Sequence, residues 1–465
     1  MAFLIGGANS SAADTGLTNS LRFNDDDSAY LSITPGSAGN RRTYTISTWI
    51  KRSNISAAQG IFSAEQTKDD TTALVFGTAD SLLFTDRPSD NRNINLLTNR
   101  LFRDPSAWYH LVIAVDTTQG TDTNRVKIYV NGVQETSFST SSYPSQNYDT
   151  AYWNNTNEHR IGMFQDNSAL HYDGYISEFY FIDGTQYAAS DFGETDDDGI
   201  WVPKDAKDDL TFGTNGFFLE FKETGTDQDA SGIGADTSGE DNHLAVTNLA
   251  ATDQCTDTPA NNFATWNPLI PSTNTYSEGN TLVSMDASPD CKTTSTIGVS
   301  KGKWYMEFLR NDNDNWPVGI AGSTIEGAYI GGASTDSLSF WVGLAGGGAA
   351  ETQLYVNGSQ IDDPWNAATW ADGDVVALLL NADDEEISLY KNNSIVGSAY
   401  DYSGLNWSQV FFTLGRRDAT YKTNFGNPSF TISSGNADAN GYGNFEHAPP
   451  NGYYALCTKN LAEFG

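Results

Sequence analysis

Catalysis leaves recognisable spacings, and this chain carries few of them. Retaining glycoside hydrolysis needs two carboxyl groups about 5 Å apart on one face of a strand, and no E-x-D-x-x-E-like strand occurs. The densest acidic run, Asp383-Asp384-Glu385-Glu386, falls in an expected hairpin turn, where solvated charge explains it. Gly298-Val299-Ser300-Lys301-Gly302 fits the G-x-S-x-G spelling of a nucleophile elbow. That elbow requires a strand before it and a helix after it, whereas the strand-like KWYMEF follows here. The five histidines, His110, His159, His171, His243 and His447, show neither HExxH nor paired spacing, and His110 reads as a core-strand residue. Cys255, Cys291 and Cys457 are odd in number, far apart and lack CxxC spacing, so they are expected to be reduced structural thiols. No enzyme is expected. Sugar recognition uses other materials, namely exposed rings that stack on a pyranose and nearby Asp or Asn side chains. Tyr148, Tyr152, Trp153, Asn154 and Asn155, between strands in YDTAYWNNTNEH, supply them, unless the rings pack inward.

Composition constrains the scaffold that must hold such residues. The 465 residues carry 25 Lys+Arg against 59 Asp+Glu, a formal charge of −34, which disfavours nucleic acid and anionic lipid as partners. The acidity is 43 Asp and only 16 Glu. Asp favours turns and caps while Glu favours helix interiors, so the bias, together with 43 Gly and 57 aromatics, argues for strands and loops. The opening MAFLIGGANSSA has no basic n-region and too short an apolar run for a signal peptide or membrane anchor. Synthesis in a cytoplasm is the expectation, which does not fix where the protein works.

Period-two alternation supplies the elements. It runs through TYTISTWIKR (43 to 52), WYHLVIAVD (108 to 116), VKIYVNGVQ (126 to 134) and GYISEFYFIDG (174 to 184). WYHLVIAVD is apolar on both faces, as a central strand would be. Asn131-Gly132 tolerates the positive φ of a tight hairpin, and LYVNG (354 to 358) repeats the same turn chemistry without wider similarity. Alternation returns in GKWYMEFLR (302 to 310), VVALLLN (375 to 381) and ISLYKNN (387 to 393). Between the two sets, KETGTDQDASGIGADTSGEDN (222 to 242) is polar and turn-rich, and its composition disfavours a core of its own. FFLEF (217 to 221) and NNFATWNPLIP (261 to 271) could pack on a neighbouring domain.

The first set of strands, LRFNDDDSAYLSI (21 to 33) through YDGYISEFYFIDG (172 to 184), resembles the laminin-G-like, concanavalin-type lectin family. The second, with GVSKGKWYMEF (298 to 308), PVGIA (317 to 321), GDVVALLLNADDEEISLYKNN (373 to 393) and FTLG (412 to 415), resembles the SPRY family. These resemblances imply an all-β chain of two concanavalin-like antiparallel β-sandwiches of jelly-roll type joined by a loop-rich connector. The expected divisions are an N-terminal arm (1–16), a laminin-G-like sandwich (17–185), an acidic Gly-rich connector (186–274), a SPRY-like sandwich (275–440) and a C-terminal docking tail (441–465). The first family often carries calcium at the sandwich rim. Acidic loops supply the oxygen ligands that ion takes, and the candidates are Asn24, Asp25, Asp27, Asp166, Asn167 and Asp173; no cofactor is otherwise required. The second family binds partner proteins through loops, which brings in Trp316, Trp365 and Trp370.

The pairing of the two domains, followed by GYYALCT (452 to 458), is similar to bacteriophage tail-fibre and other virion proteins. The function expected is therefore a non-enzymatic virion protein, in a fibre or capsid decoration, presenting lectin-like surfaces to host-surface glycan or to other virion subunits. A homo-oligomer without nucleic-acid binding or membrane insertion is expected. The rivals are a glycan depolymerase on the same fold and a purely structural decoration protein.

Overall fold

Alternation in the sequence becomes two pairs of antiparallel sheets in the computed structural model. It describes residues 16–465 except 68, 166–168, 287–290, 312–315, 328–329, 331–333, 344–351, 362–368 and 417. The chain divides into two compact units, one running to Ala260 and the other beginning at Asn261. The expected all-β class holds, with one α-helix, Thr458–Phe464, among the described residues. No helix there is long and apolar enough to cross a membrane.

In the first unit the back sheet runs Val133–Gln134, Val126–Val130, Trp108–Asp116, Thr43–Arg52, Gly174–Asp183, Ser20–Phe23 and Gln254–Cys255, with Phe217–Leu219 also paired to Gly174–Asp183. The front sheet runs Phe138–Ser142, Ile94–Leu101, Ser81–Arg87, Asp70–Phe76, Gln59–Thr67, His159–Ile161, Tyr30–Ile33 and Ala245–Thr247. Tyr44, Ile46 and Ile50 from the back sheet meet Phe62, Leu74 and Phe84 from the front sheet in one core. The Val126–Val130 hairpin turns at Asn131 and Gly132 with φ of 48° and 78°, and Asn357-Gly358 repeats that geometry at 47° and 77°. Both are left-handed positions that Asn and Gly tolerate.

Residues 186 to 260 correct the expected connector. Phe217–Leu219 and Gln254–Cys255 extend the back sheet and Ala245–Thr247 extends the front one. The remainder covers the outer face of the back sheet, where Ala189, Phe192 and Phe212 pack on Val112, Ala114, Tyr180 and Ile182. This covering layer explains why WYHLVIAVD is apolar on both faces. Trp201 fills the space above two backbones: a Cβ on Gly132 or Gly193 would lie 2.5 or 2.7 Å from its ring. Its indole Nε1 donates to His110 Nδ1 at 3.0 Å, leaving Nε2 of His110 to pair with Ser47 Oγ at 2.8 Å. Burial holds His110 neutral, with its pKa lowered to about 3. The layer ends in a buried latch. Lys51 Nζ lies 2.8 Å from Asp257 Oδ2, and Trp108 Nε1 donates to Asp257 Oδ1 at 3.1 Å.

In the second unit one sheet contains Leu282–Ser284, Thr420–Asn424, Lys303–Leu309, Val375–Asn381, Glu386–Lys391 and Ser394–Asp401 in that order. The other contains Phe411–Leu414, Trp316–Gly327, Ser334–Val342 and Thr352–Val356. Trp304, Trp316 and Phe340 lie in the core between them, joined by Ala264 and Trp266 from the segment expected to connect. Near the C-terminal end, Tyr454–Ala455 pairs in parallel with Lys303–Leu309, and Phe445, Ala455 and Cys457 cover Tyr305, Ala377 and Leu379. Beneath them Glu307 accepts from Tyr305 Oη (2.8 Å), the Glu446 and His447 amides (2.9 and 2.8 Å) and Asn424 Nδ2 (3.3 Å). Burial nevertheless pushes its pKa up to about 7. All three cysteines are buried and free of disulfides. The Asp383–Glu386 run forms the expected hairpin turn, and Ser300 precedes a strand, outside any nucleophile elbow.

Candidate binding groove

The aromatic segment predicted to meet sugars packs inward instead. Trp153 is fully buried, stacked on Phe84 at 5.0 Å and against Phe62 at 5.0 Å. Tyr152 is buried, and Asn154 is a buried junction that donates to Asp183 Oδ1 at 2.6 Å and accepts from Asn215 Nδ2 at 2.9 Å. Tyr148 donates to Asp86 Oδ2 at 2.6 Å, and Asn155 donates to the Ala151 carbonyl at 3.0 Å. Asp86 lies on the core side of the front sheet, so the segment is tied down from inside. These rings close the core, which is a reason for aromatic residues in a loop that hydropathy alone does not separate from a binding role.

The other candidates disperse. Trp316 is fully buried against Tyr421 at 4.9 Å. Trp370 is buried, with Nε1 donating to Thr352 Oγ1 at 3.0 Å. Trp365, Asp166 and Asn167 lie outside the described residues. Asn24 is buried and donates to Asp27 Oδ2 at 3.0 Å, Asp25 is half-buried, and Asp173 is buried with its carbonyl accepting from the Ser53 amide at 3.1 Å. Burial, aided by the neighbouring Asp26, raises the Asp25 pKa. Among the described residues no three His, Cys, Asp or Glu side chains gather in a group able to hold a metal ion.

A different site emerges on the outer face of the front sheet. Strands Asp70–Phe76 and Ser81–Arg87 pair with Thr71 opposite Arg87, Ala73 opposite Thr85 and Val75 opposite Leu83. Since Leu74, Phe76, Leu82 and Phe84 enter the core, period two sends these six to the other face. The hairpin of Met163–Gln165 with Ala169–His171 crosses over that face. Gly60 permits the crossing, because a Cβ there would lie 2.3 Å from the Phe164 amide, and Ser63 Oγ fastens it by donating to the Met163 carbonyl at 2.8 Å. Phe164 thereby packs on Ala73, Val75 and Leu83.

The result is an open groove of about 180 Å3, floored by Val75, Leu83 and Phe164 with Thr71 and Thr85, and flanked by Arg87 and Arg92. No carboxylate is among its described lining residues. Arg87, half-buried at 16% exposure, faces the exposed Asp69 at 3.5 Å and Asp90 at 4.0 Å, long contacts to solvated carboxylates that contribute little. Arg92 is exposed, with a 3.4 Å bond to Asn95 Oδ1. It is carried on the turn after Pro88–Asp90, where Ser89 and Asp90 have φ of 50° and 64°. Two guanidinium groups thus flank the apolar floor, Arg87 facing two carboxylates and Arg92 an amide oxygen. Phe164 is itself only 8% exposed, so the groove offers a small apolar surface beside Leu83, and its arginines can hold a carboxylate or sulfate. Its residues come from three separated segments, so spacing did not reveal it. The one local signal was Gly60 inside an apolar strand, a mark of close backbone approach.

Residues 25–190 match the Laminin_G_3 family, the concanavalin A-like lectin/glucanases superfamily. The groove residues Thr71 to Phe164 all fall within that match. No curated protein matches the chain. Among solved structures, the SPRY domain of human HERC1 is similar at 13% identity over 34% of this chain and 94% of its own, with a TM-score of 0.27. A heptameric SAP-like pentraxin from Limulus polyphemus gives 16% identity, 38% and 80% coverage and a TM-score of 0.29. Domains LG4-5 of the mouse laminin alpha1 chain give 10% identity, 90% and 92% coverage and a TM-score of 0.30.

Proposed function

We propose that this chain is a non-enzymatic, lectin-like carbohydrate-binding protein whose first unit takes an anionic saccharide in the Arg87–Arg92 groove. The observation that carries this reading is the juxtaposition of an apolar ring, Phe164, with two arginines and no carboxylate in one open groove. The family match of residues 25–190 supports the lectin class. A depolymerase needs an acid and a second carboxylate beside the scissile bond, and the groove's described lining offers neither. The test is a panel of acidic and neutral glycans probed with the full chain, its Phe164→Ala variant and its Arg92→Gln variant. Retention on uronic- or sialic-acid glycans, lost by roughly tenfold in either variant as expected for an apolar or charge-assisted contact, supports the reading. Equal binding by all three proteins, or release of reducing ends from the panel, overturns it. Recognition at the groove requires no cofactor. Repeating the panel with a chelator tests calcium at the Asn24–Asp27 loop.

A finer reading places this lectin in a bacteriophage particle, as an oligomeric tail-fibre or capsid-decoration subunit made in the host cytoplasm and touching other virion subunits. The sequence pairing of a laminin-G-like with a SPRY-like sandwich motivates it. Locating the chain in a particle map would establish it, and absence from purified particles would exclude it.

A further inference from the structure

The outer face of the back sheet in the first unit holds a second cavity of about 110 Å3, walled by Leu17 and Phe218 and lined by Glu178, Asp205, Glu220 and Lys222. Glu178 arrives there through a break in alternation. Ile176 and Phe179 both enter the core although three residues apart. The register confirms one extra residue, since Ser177 pairs with Trp49 and Tyr180 with Ser47. Glu178 takes up the bulge in a left-handed conformation, φ 49°, that costs an L-residue energy and re-aims its side chain.

The charges in the cavity are unevenly met. Glu220 Oε1 is held by Lys222 Nζ at 2.5 Å and Oε2 by Lys207 Nζ at 3.7 Å. Asp205 is exposed to solvent. Glu178 is only 6% exposed, and its Oε2 has no hydrogen-bond partner. Glu307, fully buried in the second unit, has donors on both oxygens. A buried carboxylate oxygen left without a donor is costly, and here the cavity opens beside it.

We propose that this cavity binds a primary alkylammonium group, whose N–H donors reach Glu178 and Asp205 while its methylene stem lies on Leu17 and Phe218. A divalent metal suits the cavity less well, because Glu178, Asp205 and Glu220 line it without coming together as a group able to hold one, and apolar walls offer nothing to a hydrated ion. The ammonium can come from a free diamine or from a lysine side chain of a partner; the recognised chemistry is the same. Burial above all, with Asp205 and Glu220 adding to it, pushes the Glu178 pKa up to about 8. The other groups facing Glu178 are Lys222 and the buried Tyr180 hydroxyl. An alkylammonium stays charged up to about pH 10, so binding strengthens as Glu178 ionises.

Calorimetric titration of the full chain with butylammonium chloride at constant ionic strength tests this. One site is expected, with affinity rising about tenfold from pH 7 to pH 9 as the ionised fraction of Glu178 grows. Glu178→Gln is expected to weaken binding about tenfold and Asp205→Asn, at an exposed position, about threefold, both with unchanged circular dichroism. Tighter binding of 1,4-diaminobutane than of Nα-acetyl-lysine amide identifies a free amine as the source, and the reverse order identifies a lysine side chain. No binding of any alkylammonium at pH 9, equal binding of tetramethylammonium, equal binding by Glu178→Gln, or displacement by equimolar calcium overturns the proposal.

Discussion

Asp257→Ala tests the claim that the polar stretch after residue 185 is an integral layer of the first sandwich. Lys51 and Asp257 side chains are 1% and 0% exposed and 2.8 Å apart, so solvent screens neither. Removing the carboxylate leaves the Lys51 ammonium without its buried counter-charge, at a cost of about 3–5 kcal/mol. It also strips the acceptor from Trp108 Nε1, a loss of about 1–3 kcal/mol. The two losses share one group and are not additive, so about 4–6 kcal/mol is expected, against a typical domain stability of about 5–15 kcal/mol. Urea unfolding of the full chain, followed by tryptophan fluorescence and circular dichroism, measures it. A second variant combining Asp257→Ala with Lys51→Met should recover at least half of the loss, because an apolar replacement of a buried pair is often neutral. A cost below about 1 kcal/mol for Asp257→Ala, or a double variant no better than the single one, would refute the reasoning.

Gly132→Ala should lower stability by about 2–4 kcal/mol, because its φ of 78° disfavours a side chain and the new Cβ would lie 2.5 Å from the Trp201 ring; thermal unfolding checks this. A chain of residues 17–185 alone should expose Val112, Ala114, Tyr180 and Ile182, bind a hydrophobic dye and aggregate, whereas 16–260 should unfold cooperatively. Glu178 and Glu307 have folded pKa values raised to about 8 and about 7 from 4.5. The folded state therefore holds more protons than the unfolded one over that range, and the stability this confers is complete below pH 4.5 and lost as pH rises through 7 to 8. Glu178→Gln should remove its share and raise stability at pH 8.5 by roughly 2–4 kcal/mol. Glu307→Gln should instead lower stability, by about 1–3 kcal/mol, because an amide NH2 would meet N–H donors. Urea titrations at pH 5 and 8.5 separate the two signs.

What the sequence made legible follows from how local each signal is. TYTISTWIKR, WYHLVIAVD and VVALLLN declare strands because period two is written in consecutive residues, and Asn131-Gly132 declares its turn for the same reason. The covering layer was not legible, since Phe192, Trp201 and Phe212 are isolated apolar residues in polar surroundings whose value depends on an apolar face far away in sequence. Trp153 looked like a ligand platform for a related reason. A ring in a loop reads the same whether it faces solvent or plugs a core, and only the Phe62 and Phe84 contacts decide. The groove brings together Thr71 and Val75, the stretch from Leu83 to Arg92, and Phe164 from three segments, and the Glu178 cavity depends on a one-residue bulge whose trace is the broken alternation in ISEFYF.

The most direct test of the central claim is a crystal structure of the chain with an acidic saccharide selected from the glycan panel. The saccharide is expected against Leu83 and Phe164, with its carboxylate or sulfate between Arg87 and Arg92. A saccharide ordered elsewhere on the molecule while this groove holds only solvent would contradict it.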